Sequence, residues 1–323
     1  MIEYGKKLNG VNIMNKSNIA MIIGTRAETI KMIPIIEEFK KREIKIKVIG
    51  TGQHNLDDYY KPDFYLTTPP DKSSRFGFSK LKALMWGFNI IIKIFKNVNR
   101  KDLILIHGDT LSSALISIGA SLRKCKIVHI EAGLRSNNMR EPFPEEIMRK
   151  IVDNRANILF LPTKLEIDNV KNYNEKESYV VGNTIIDNLK KYNLQINIGN
   201  YVVVSIHRQE NMRNQLRMRM IVNALNHICL PIYIYAHDPF IEALNKFELK
   251  LNDNIKIMKM VSHKEFMQKV SGSYFVIADG GSIQEECAWM KKPCILFRQY
   301  TERHGFDFGN GEASKKIVEE LLK

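Results

Sequence analysis

The chain has 323 residues, of which 44% are hydrophobic and 26% charged, a balance typical of a soluble globular protein long enough for two domains. No run approaches the roughly 20 apolar residues of a membrane-spanning helix, and the amino terminus lacks the pattern of a signal peptide, so we expect a cytosolic protein without an integral membrane segment. The net charge of +14 is spread along the sequence without an aromatic-basic face, which argues against a nucleic-acid partner and suits steering of a polyanionic substrate.

Short apolar strands alternate with helical patterns over most of the chain, after a polar extension at residues 1–17. The first helix is predicted over Glu28 to Lys41, where Ile30, Ile33 and Ile36 share one face. Strands of the first domain are predicted at Ile19 to Ile23, Ile46 to Ile49, Leu103 to Ile106, Ile127 to Ile130, Ile158 to Leu161 and Tyr179 to Val181. Such alternation predicts a doubly wound parallel sheet.

The periodicity is lost in an asparagine-rich stretch at Lys190 to Asn200, the best candidate for a linker. It then restarts with predicted strands at Tyr201 to Val204, Ile232 to Tyr235, Ile255 to Met258, Tyr274 to Ile277 and Cys294 to Phe297. We therefore predict an α/β protein with two Rossmann-like doubly wound parallel-sheet domains facing a central cleft. Their predicted bounds are 18–192 and 193–303, followed by a tail and helix at 304–323.

Two further features concern packing. The segment from Lys80 to Lys101 has an amphipathic helical pattern that fits a sheet-covering helix or a dimer interface better than a membrane-surface helix, and we expect a homodimer. The cysteines have no paired spacing of a zinc or redox motif, and each is beside apolar residues. We expect buried, reduced thiols and no metal site at all four: Cys125, Cys229, Cys287 and Cys294.

Acidic residues follow two predicted strands of the first domain. Asp109 comes after the strand that ends at Ile106, Glu131 directly follows Ile130, and Glu145 lies a little further along. The carboxyl edge of a parallel sheet is where open α/β folds bind ligands. Asp109 could instead be the N-cap of the helix from Thr110 to Ser121. A carboxylate ending an apolar strand, like Glu131, needs a cation, and Arg135 is the candidate.

A phosphate site is predicted in the second domain. Gly280, Gly281 and Ser282 form a strand-to-helix turn whose backbone N–H groups and helix dipole favour an anion. Glu286, one turn further on, could bind ribose hydroxyls or could be an ordinary dipole partner. Four basic groups could neutralise a diphosphate leaving group, two at a strand end of this domain and two at the first strand-to-helix turn: His207, Arg208, Arg26 and Lys31.

In this order the motifs resemble the UDP-N-acetylglucosamine 2-epimerase family, of the glycosyltransferase-B fold. The resemblance rests on Gly24-Thr25-Arg26-Ala27-Glu28, Thr51-Gly52-Gln53-His54, His107-Gly108-Asp109-Thr110, His129 to Arg135, Pro144-Glu145-Glu146, Gly182 to Asp187, His207 to Asn211, Gln284-Glu285-Glu286, Thr301-Glu302-Arg303 and Gly309 to Ser314. The sequence departs from the family at Ala27, where proline is usual, and in the order of Asp279-Gly280-Gly281-Ser282. The second domain is also expected to be shortened after Arg303.

The resemblance implies an isomerase that interconverts UDP-N-acetylglucosamine and UDP-N-acetylmannosamine without a cofactor, in the supply of sugars for polysaccharide synthesis. It implies loss of the C2 proton, elimination of UDP, and re-addition with the proton returned to the other face. The catalytic residues it implies are Asp109, Glu131, Glu145 and His207. The substrate-binding residues it implies are Arg26, Lys31, His54, Arg135, Arg208, Gly280, Gly281, Ser282, Glu286 and Arg303.

Other hypotheses use the same residues. A hydrolysing relative would release N-acetylmannosamine and UDP, with water completing the second step. A glycosyltransferase of the same fold would use the nucleotide site without chemistry at C2, although three acids exceed what simple transfer needs. An inactive homologue would bind the sugar nucleotide as a sensor or scaffold.

Overall fold

The computed structural model describes residues 18–69, 80–139, 141–173, 176–236 and 238–323. Contacts divide the described chain into two compact units. The first unit contains the described residues up to Asn188 together with Gly309–Lys323, and the second contains Leu189–Phe308. The carboxy-terminal helix therefore belongs to the first unit, whereas the sequence treated it as a separate tail.

Each unit is built on one parallel sheet. The first has seven strands in the order β3-β2-β1-β4-β5-β6-β7, namely β1 Ile19–Ile23, β2 Ile46–Gly50, β3 Phe64–Tyr65, β4 Leu103–His107, β5 Lys126–Ile130, β6 Ile158–Leu161 and β7 Glu177–Val180. The second has five in the order β10-β9-β8-β11-β12, namely β8 Val202–Ser205, β9 Ile232–Tyr235, β10 Ile255–Met258, β11 Phe275–Ala278 and β12 Cys294–Leu296. The prediction of two parallel-sheet α/β domains is confirmed.

Helices follow most strands. They are α1 Arg26–Lys41, α2 Lys80–Asn97, α3 Leu111–Leu122, α4 Glu145–Arg155, α5 Ile167–Val170, α6 Thr184–Tyr192, α7 Gln209–Met212, α8 Gln215–Asn226, α9 Asp238–Lys246, α10 His263–Ser271, α11 Gly281–Trp289 and α12 Ala313–Leu322. Capping boxes fix the starts of two of them, at Thr25 with Glu28 for α1 and at Ser262 with Glu265 for α10.

The first sheet is buried on both faces. Alternate residues of β1 point to opposite sides, so Met21 joins the core beneath α1 and α12, while Ile22 joins the core beneath α2 and α3. The two-residue strand β3 was not predicted, because Phe64 and Tyr65 are only half buried and too few to show a period. A parallel sheet covered on both faces holds its carboxyl edge rigidly.

Helix α2 covers the first sheet, as the sequence favoured. Its residues Ile90 and Ile94 are fully buried in the core, while Met85 and Phe88 are exposed on the opposite side. No helix among the described residues is long and apolar enough to cross a bilayer. The homodimer stays a prediction.

Two sequence expectations are corrected. Thr110, not Asp109, is the N-cap of α3: its hydroxyl accepts from Ser113 N at 3.2 Å, because its backbone is extended where the helix begins. Cys229 is exposed and not buried, since it lies in the turn between α8 and β9. Cys125 and Cys287 are buried, Cys294 is partly exposed, and all four thiols are free.

The carboxy-terminal helix is anchored to the first unit by Asp187 of α6. The buried Asp187 carboxylate accepts from Ala313 N at 3.2 Å and from Ser314 N at 2.9 Å, and it also bonds to the Ser314 hydroxyl. It thus serves as the cap of a helix 126 residues away in the sequence.

Substituting Asp187→Ala should lower the free energy of unfolding of the first unit by about 2 kcal/mol, because it leaves buried N–H groups without an acceptor. In a Trp289→Phe background, Trp86 fluorescence reports the first unit during urea unfolding. The exposed Asp253 provides the control, and Asp253→Ala should change little. Equal stability of the two variants would contradict this anchoring role.

Candidate active site

The carboxyl ends of β4 and β5 place two of the predicted acids on neighbouring strands. The two strands pair in parallel, with His107 opposite Ile130. Glu131 directly follows Ile130, and Asp109 follows His107 after Gly108. Glu131 has a φ of +65°, in the left-handed region that residues with a side chain seldom adopt. Such backbone strain persists only where surrounding contacts enforce it, and it is enriched at functional sites.

Glu131 is buried and surrounded by donors. Its Oε2 atom accepts from Lys31 Nζ in a short ion pair and from Asn183 Nδ2 at 2.9 Å, and His107 Nε2 lies 3.5 Å away. The sequence pointed to Arg135 as the cation opposite Glu131, and the structure corrects this. Lys31 fills that role because α1 runs back along the sheet and brings its second turn to the end of β5.

A second charged cluster lies beneath this edge, around the fully buried Asp153 of α4. Asp153 Oδ1 is 2.7 Å from His129 Nδ1, and Oδ2 is 2.6 Å from Arg135 NH1. His129 Nε2 is 2.9 Å from the Gly108 carbonyl, so both ring nitrogens face acceptors and the imidazolium form satisfies both. Burial alone would raise the pKa of Asp153, but its hydrogen bond to His129 and the charges of His129 and Arg135 lower it overall.

Asp109 is held by a residue that sequence analysis missed. Arg149 of α4 is 1% exposed and pairs with Asp109 Oδ2 in a short contact, while its NH1 donates to Glu146 Oε2 at 2.8 Å. Glu146 in turn accepts from Ser136 N at 2.9 Å. The signal was present, because Glu145, Glu146 and Arg149 occupy i, i+1 and i+4 positions of one amphipathic helix.

The third predicted acid, Glu145, is the first residue of α4 and is half buried. Two basic residues that were predicted to bind the substrate, Arg26 and His54, follow β1 and β2. Arg26 begins α1, and its Nε donates to the Asn55 carbonyl at 3.4 Å. His54 lies nearby, and burial followed by the charge of Arg26 lowers its pKa. The structure therefore gathers five predicted residues of the first unit near one sheet edge: Arg26, Lys31, Asp109, Glu131 and Glu145.

Glu28 is another buried acid of this edge, and in the sequence it belongs to the motif Gly24-Thr25-Arg26-Ala27-Glu28. Its Oε2 accepts from Gly24 N at 2.7 Å and from Thr25 N at 3.2 Å, and the Ser113 hydroxyl lies 3.3 Å from its Oε1. Burial raises the pKa of Glu28, against the lowering effect of hydrogen bonds from the Thr110 side chain and from the backbone of Gly24 and Thr25, and of the charge of His107. Glu28 thus holds the first strand-to-helix turn in place.

The predicted phosphate turn lies at the end of β11 in the second unit. Asp279 is fully buried, and its carboxylate accepts from His207 N at 3.0 Å and from Arg208 N at 2.9 Å. These bonds hold the loop after β8 against the glycine turn. A Cβ atom at Gly280 would lie 2.7 Å from His207 Cε1, so a side chain at this position would require the half-exposed imidazole to move.

Helix α11 begins at Gly281, and its N-cap residue, Gly280, makes no side-chain capping bond. Ser282 lies half exposed in the first turn. The backbone donors of this turn and the helix dipole suit an anion. Arg303 is buried next to it, with Nε 2.8 Å from Glu285 Oε1 and a short contact to Glu302. Glu286 is 3% exposed and bonds to His263, which the sequence analysis did not select.

Among the described residues, no group of His, Cys, Asp and Glu side chains is arranged to hold a metal ion. The fold and the site define a class of proteins with two parallel-sheet α/β domains. One domain has acids at the carboxyl edge of its sheet, and the other has a glycine turn at the start of a helix.

Comparison with known proteins gives the family. A model of the UDP-N-acetylglucosamine 2-epimerase family matches residues 37–306. UDP-N-acetylglucosamine 2-epimerase of Campylobacter jejuni is 32% identical over 321 residues, covering 88% of this chain and 82% of its own length. That of Bacillus subtilis is 29% identical and covers 96% of both chains. The crystal structure of Methanocaldococcus jannaschii UDP-GlcNAc 2-epimerase in complex with UDP-GlcNAc and UDP superposes with a TM-score of 0.80 at 27% identity, covering 94% of this chain and 99% of that one. The chain belongs to the UDP-N-acetylglucosamine 2-epimerase family.

Substituting Asp153→Asn should lower the free energy of unfolding by about 3 kcal/mol at neutral pH, since it leaves buried cations without their anion. Because the pKa of Asp153 is lowered in the folded protein, its stabilisation is complete above the unfolded value of about 4 and is lost as the pH falls through the folded value. The difference from wild type should therefore shrink below about pH 4.

Urea unfolding across this pH range, followed by Trp86 fluorescence in the Trp289→Phe background, measures both effects. The control is Asp168→Asn, whose side chain is 85% exposed and pairs only at 3.5 Å with Lys171. A pH-independent difference for Asp153→Asn would show that its charge is not what stabilises this cluster.

Proposed function

We propose that this protein is a non-hydrolysing UDP-N-acetylglucosamine 2-epimerase that interconverts UDP-N-acetylglucosamine and UDP-N-acetylmannosamine. The observation that carries the proposal is Glu131, a buried carboxylate on strained backbone, paired with Lys31 and Asn183, in a chain of this family. Removal of a proton bonded to carbon needs a positioned base, and the strain and burial of Glu131 suit that role.

The proposed chemistry removes the C2 proton of the sugar while the bond between C1 and the UDP oxygen breaks. The products of this step are a glycal and UDP, and the reverse addition, with the proton delivered to the opposite face, gives the epimer. Acids or bases are therefore needed on both faces of the ring. We assign these to Asp109, Glu131 and Glu145.

The cations beside these acids support that assignment. A carboxylate acts as a base only when it is ionised, and the ammonium of Lys31 favours ionised Glu131. The guanidinium of Arg149 pairs with Asp109, and its second bond, to Glu146, fixes its position. Asn183 is fixed as well, since its Oδ1 accepts from Ile185 N at 3.0 Å while its amide nitrogen donates to Glu131. Such preorganised groups need little rearrangement when charge develops.

The second unit is proposed to bind UDP. The N–H groups at the start of α11, at Gly281 and Ser282, would receive the diphosphate, and the half-exposed side chain of His207 would help to neutralise the leaving group. Glu286 would accept hydrogen bonds from the ribose. Arg26, His54, Arg208 and Arg303 remain proposed substrate residues, with Arg303 acting from a buried position beside Gly281.

Incubating the protein with UDP-N-acetylglucosamine in deuterated water tests this function. We expect deuterium at C2 in intact UDP-sugar of both configurations, detected by NMR and mass spectrometry. Free N-acetylmannosamine and UDP, with deuterium at C2, would instead favour the hydrolysing enzyme. Binding of UDP without any exchange would favour an inactive homologue and contradict both enzymes.

The Glu131→Gln variant should reduce the exchange rate by about 100-fold or more while UDP binding is retained, because the amide keeps the shape but cannot accept the proton. Glu320→Gln is the matched control, since the Glu320 carboxylate pairs with the exposed Lys323 near the chain end. An exchange rate of wild-type size in Glu131→Gln would remove Glu131 from the mechanism.

A further inference from the structure

A chain of three hydrogen-bonded side chains crosses the second unit, and two of its members, Tyr192 and His263, have no part in the function proposed so far. The Tyr192 hydroxyl lies 2.9 Å from His263 Nδ1, and His263 Nε2 lies 2.6 Å from Glu286 Oε1. The three residues come from the end of α6, the start of α10 and the middle of α11. They therefore connect elements that are far apart in the sequence.

The chemistry of the groups sets the direction of these bonds. An ionised carboxylate only accepts, so His263 must donate to Glu286 from Nε2. In the neutral ring Nδ1 is then an acceptor, and the Tyr192 hydroxyl donates to it. Tyr192 thus selects the tautomer of His263 that can bond to Glu286, as hydrogen bonds to the distal nitrogen do for other functional histidines.

Two features hold the ring of His263 in place, namely the fixed start of its helix and a contact with the Tyr192 ring. It is the first residue of α10, whose start is fixed by Ser262 and Glu265: Ser262 N donates to Glu265 Oε2 at 3.0 Å, and Glu265 N to Ser262 Oγ at 3.3 Å. The ring of Tyr192 meets the imidazole edge-on, with centroids 5.5 Å apart and an angle of 60°. A donor fixed in this way can orient its acceptor.

Glu286 is the acceptor, and it is 3% exposed. Among the residues that the structure describes, His263 is the one hydrogen-bond partner of its carboxylate. The two oxygens of a carboxylate can accept about four hydrogen bonds, so one donor leaves acceptor capacity on Glu286. The second oxygen, Oε2, is therefore left for donors that a ligand brings.

We propose that His263 is a positioning residue for nucleotide binding: it holds Glu286 Oε1 so that Oε2 accepts the ribose hydroxyls of the nucleoside diphosphate. This inference rests on the proposed function, because it assumes that UDP binds at the start of α11. Two adjacent ribose hydroxyls are the donors that a carboxylate one turn into such a helix can recognise. His263 then determines how strongly the protein distinguishes a ribonucleotide from a deoxyribonucleotide.

Calorimetric titration with UDP and with 2′-deoxy-UDP tests the proposal. Wild-type protein should bind UDP about tenfold more tightly than 2′-deoxy-UDP, the effect of one hydrogen bond to a charged group. In His263→Phe the affinity for UDP should fall about tenfold, whereas that for 2′-deoxy-UDP, which keeps only the 3′-hydroxyl, should fall less, so the preference shrinks. A merely structural role for His263 would weaken both nucleotides equally.

Three further variants keep the test informative if His263→Phe folds poorly. His263→Gln retains a donor and should recover part of the preference, and Tyr192→Phe, which removes only the hydroxyl, should reduce it by a few-fold. His227→Phe is the matched control, since His227 is exposed and bonds only to Asn223 of its own helix, at 2.7 Å. It should bind as wild type does.

The outcomes distinguish failure of the proposed function from failure of the role of His263. Wild-type protein that binds neither nucleotide would contradict the proposed function, and the role of His263 would fall with it. Wild-type protein that binds both equally, or a preference unchanged in His263→Phe and Tyr192→Phe, would overturn the role of His263 alone.

Discussion

The buried ion pair between Lys31 and Glu131 is the contact on which the proposed site depends. Both side chains are almost inaccessible to water, so each charge has lost most of its hydration. A buried pair of this kind contributes little net stability, and well-packed apolar residues of the same size often replace it without loss. The left-handed backbone of Glu131 adds a further cost. An arrangement that is unfavourable on both counts is understandable if the carboxylate has a chemical task.

The remaining charges at this sheet edge follow the same logic of paired cations and anions. Arg149 bonds Asp109 and Glu146, while the cluster of His129, Asp153 and Arg135 lies beneath. His129 also bonds to the Gly108 carbonyl and so fixes the turn that carries Asp109. The acids proposed to be catalytic are thus supported by a second layer of buried charges, which is how positions accurate enough for proton transfer are maintained.

The sequence was sufficient to predict every described strand except β3, and it selected the acids that are proposed for the site. Strands such as β1 and β9 are continuous apolar runs bounded by turns, and their bounds were predicted without error because burial on both faces leaves no ambiguity. Asp109 and Glu131 were selected because they follow such strands. Order of motifs along the chain, and not any single spacing, identified the family.

The partners of those acids could not be read from the sequence. Lys31 and Glu131 are 100 residues apart, and their contact depends on how α1 packs on the sheet. Arg135, which is closer in sequence to Glu131, bonds to Asp153 because the turn at Gly133 directs it toward α4. His263 and Tyr192 carried no motif at all. Charge pairing across elements is a property of the packed fold, and local patterns contain little of it.

The most direct test of the account is a double-mutant cycle on the rate of C2 deuterium exchange into UDP-N-acetylglucosamine, with Lys31→Met, Glu131→Gln and the double variant. If the pair acts as one unit, the double variant should be about as slow as Glu131→Gln alone, because Lys31 has no further effect once its partner carboxylate is gone. Independent effects that multiply in the double variant would contradict the claim that Lys31 acts through Glu131.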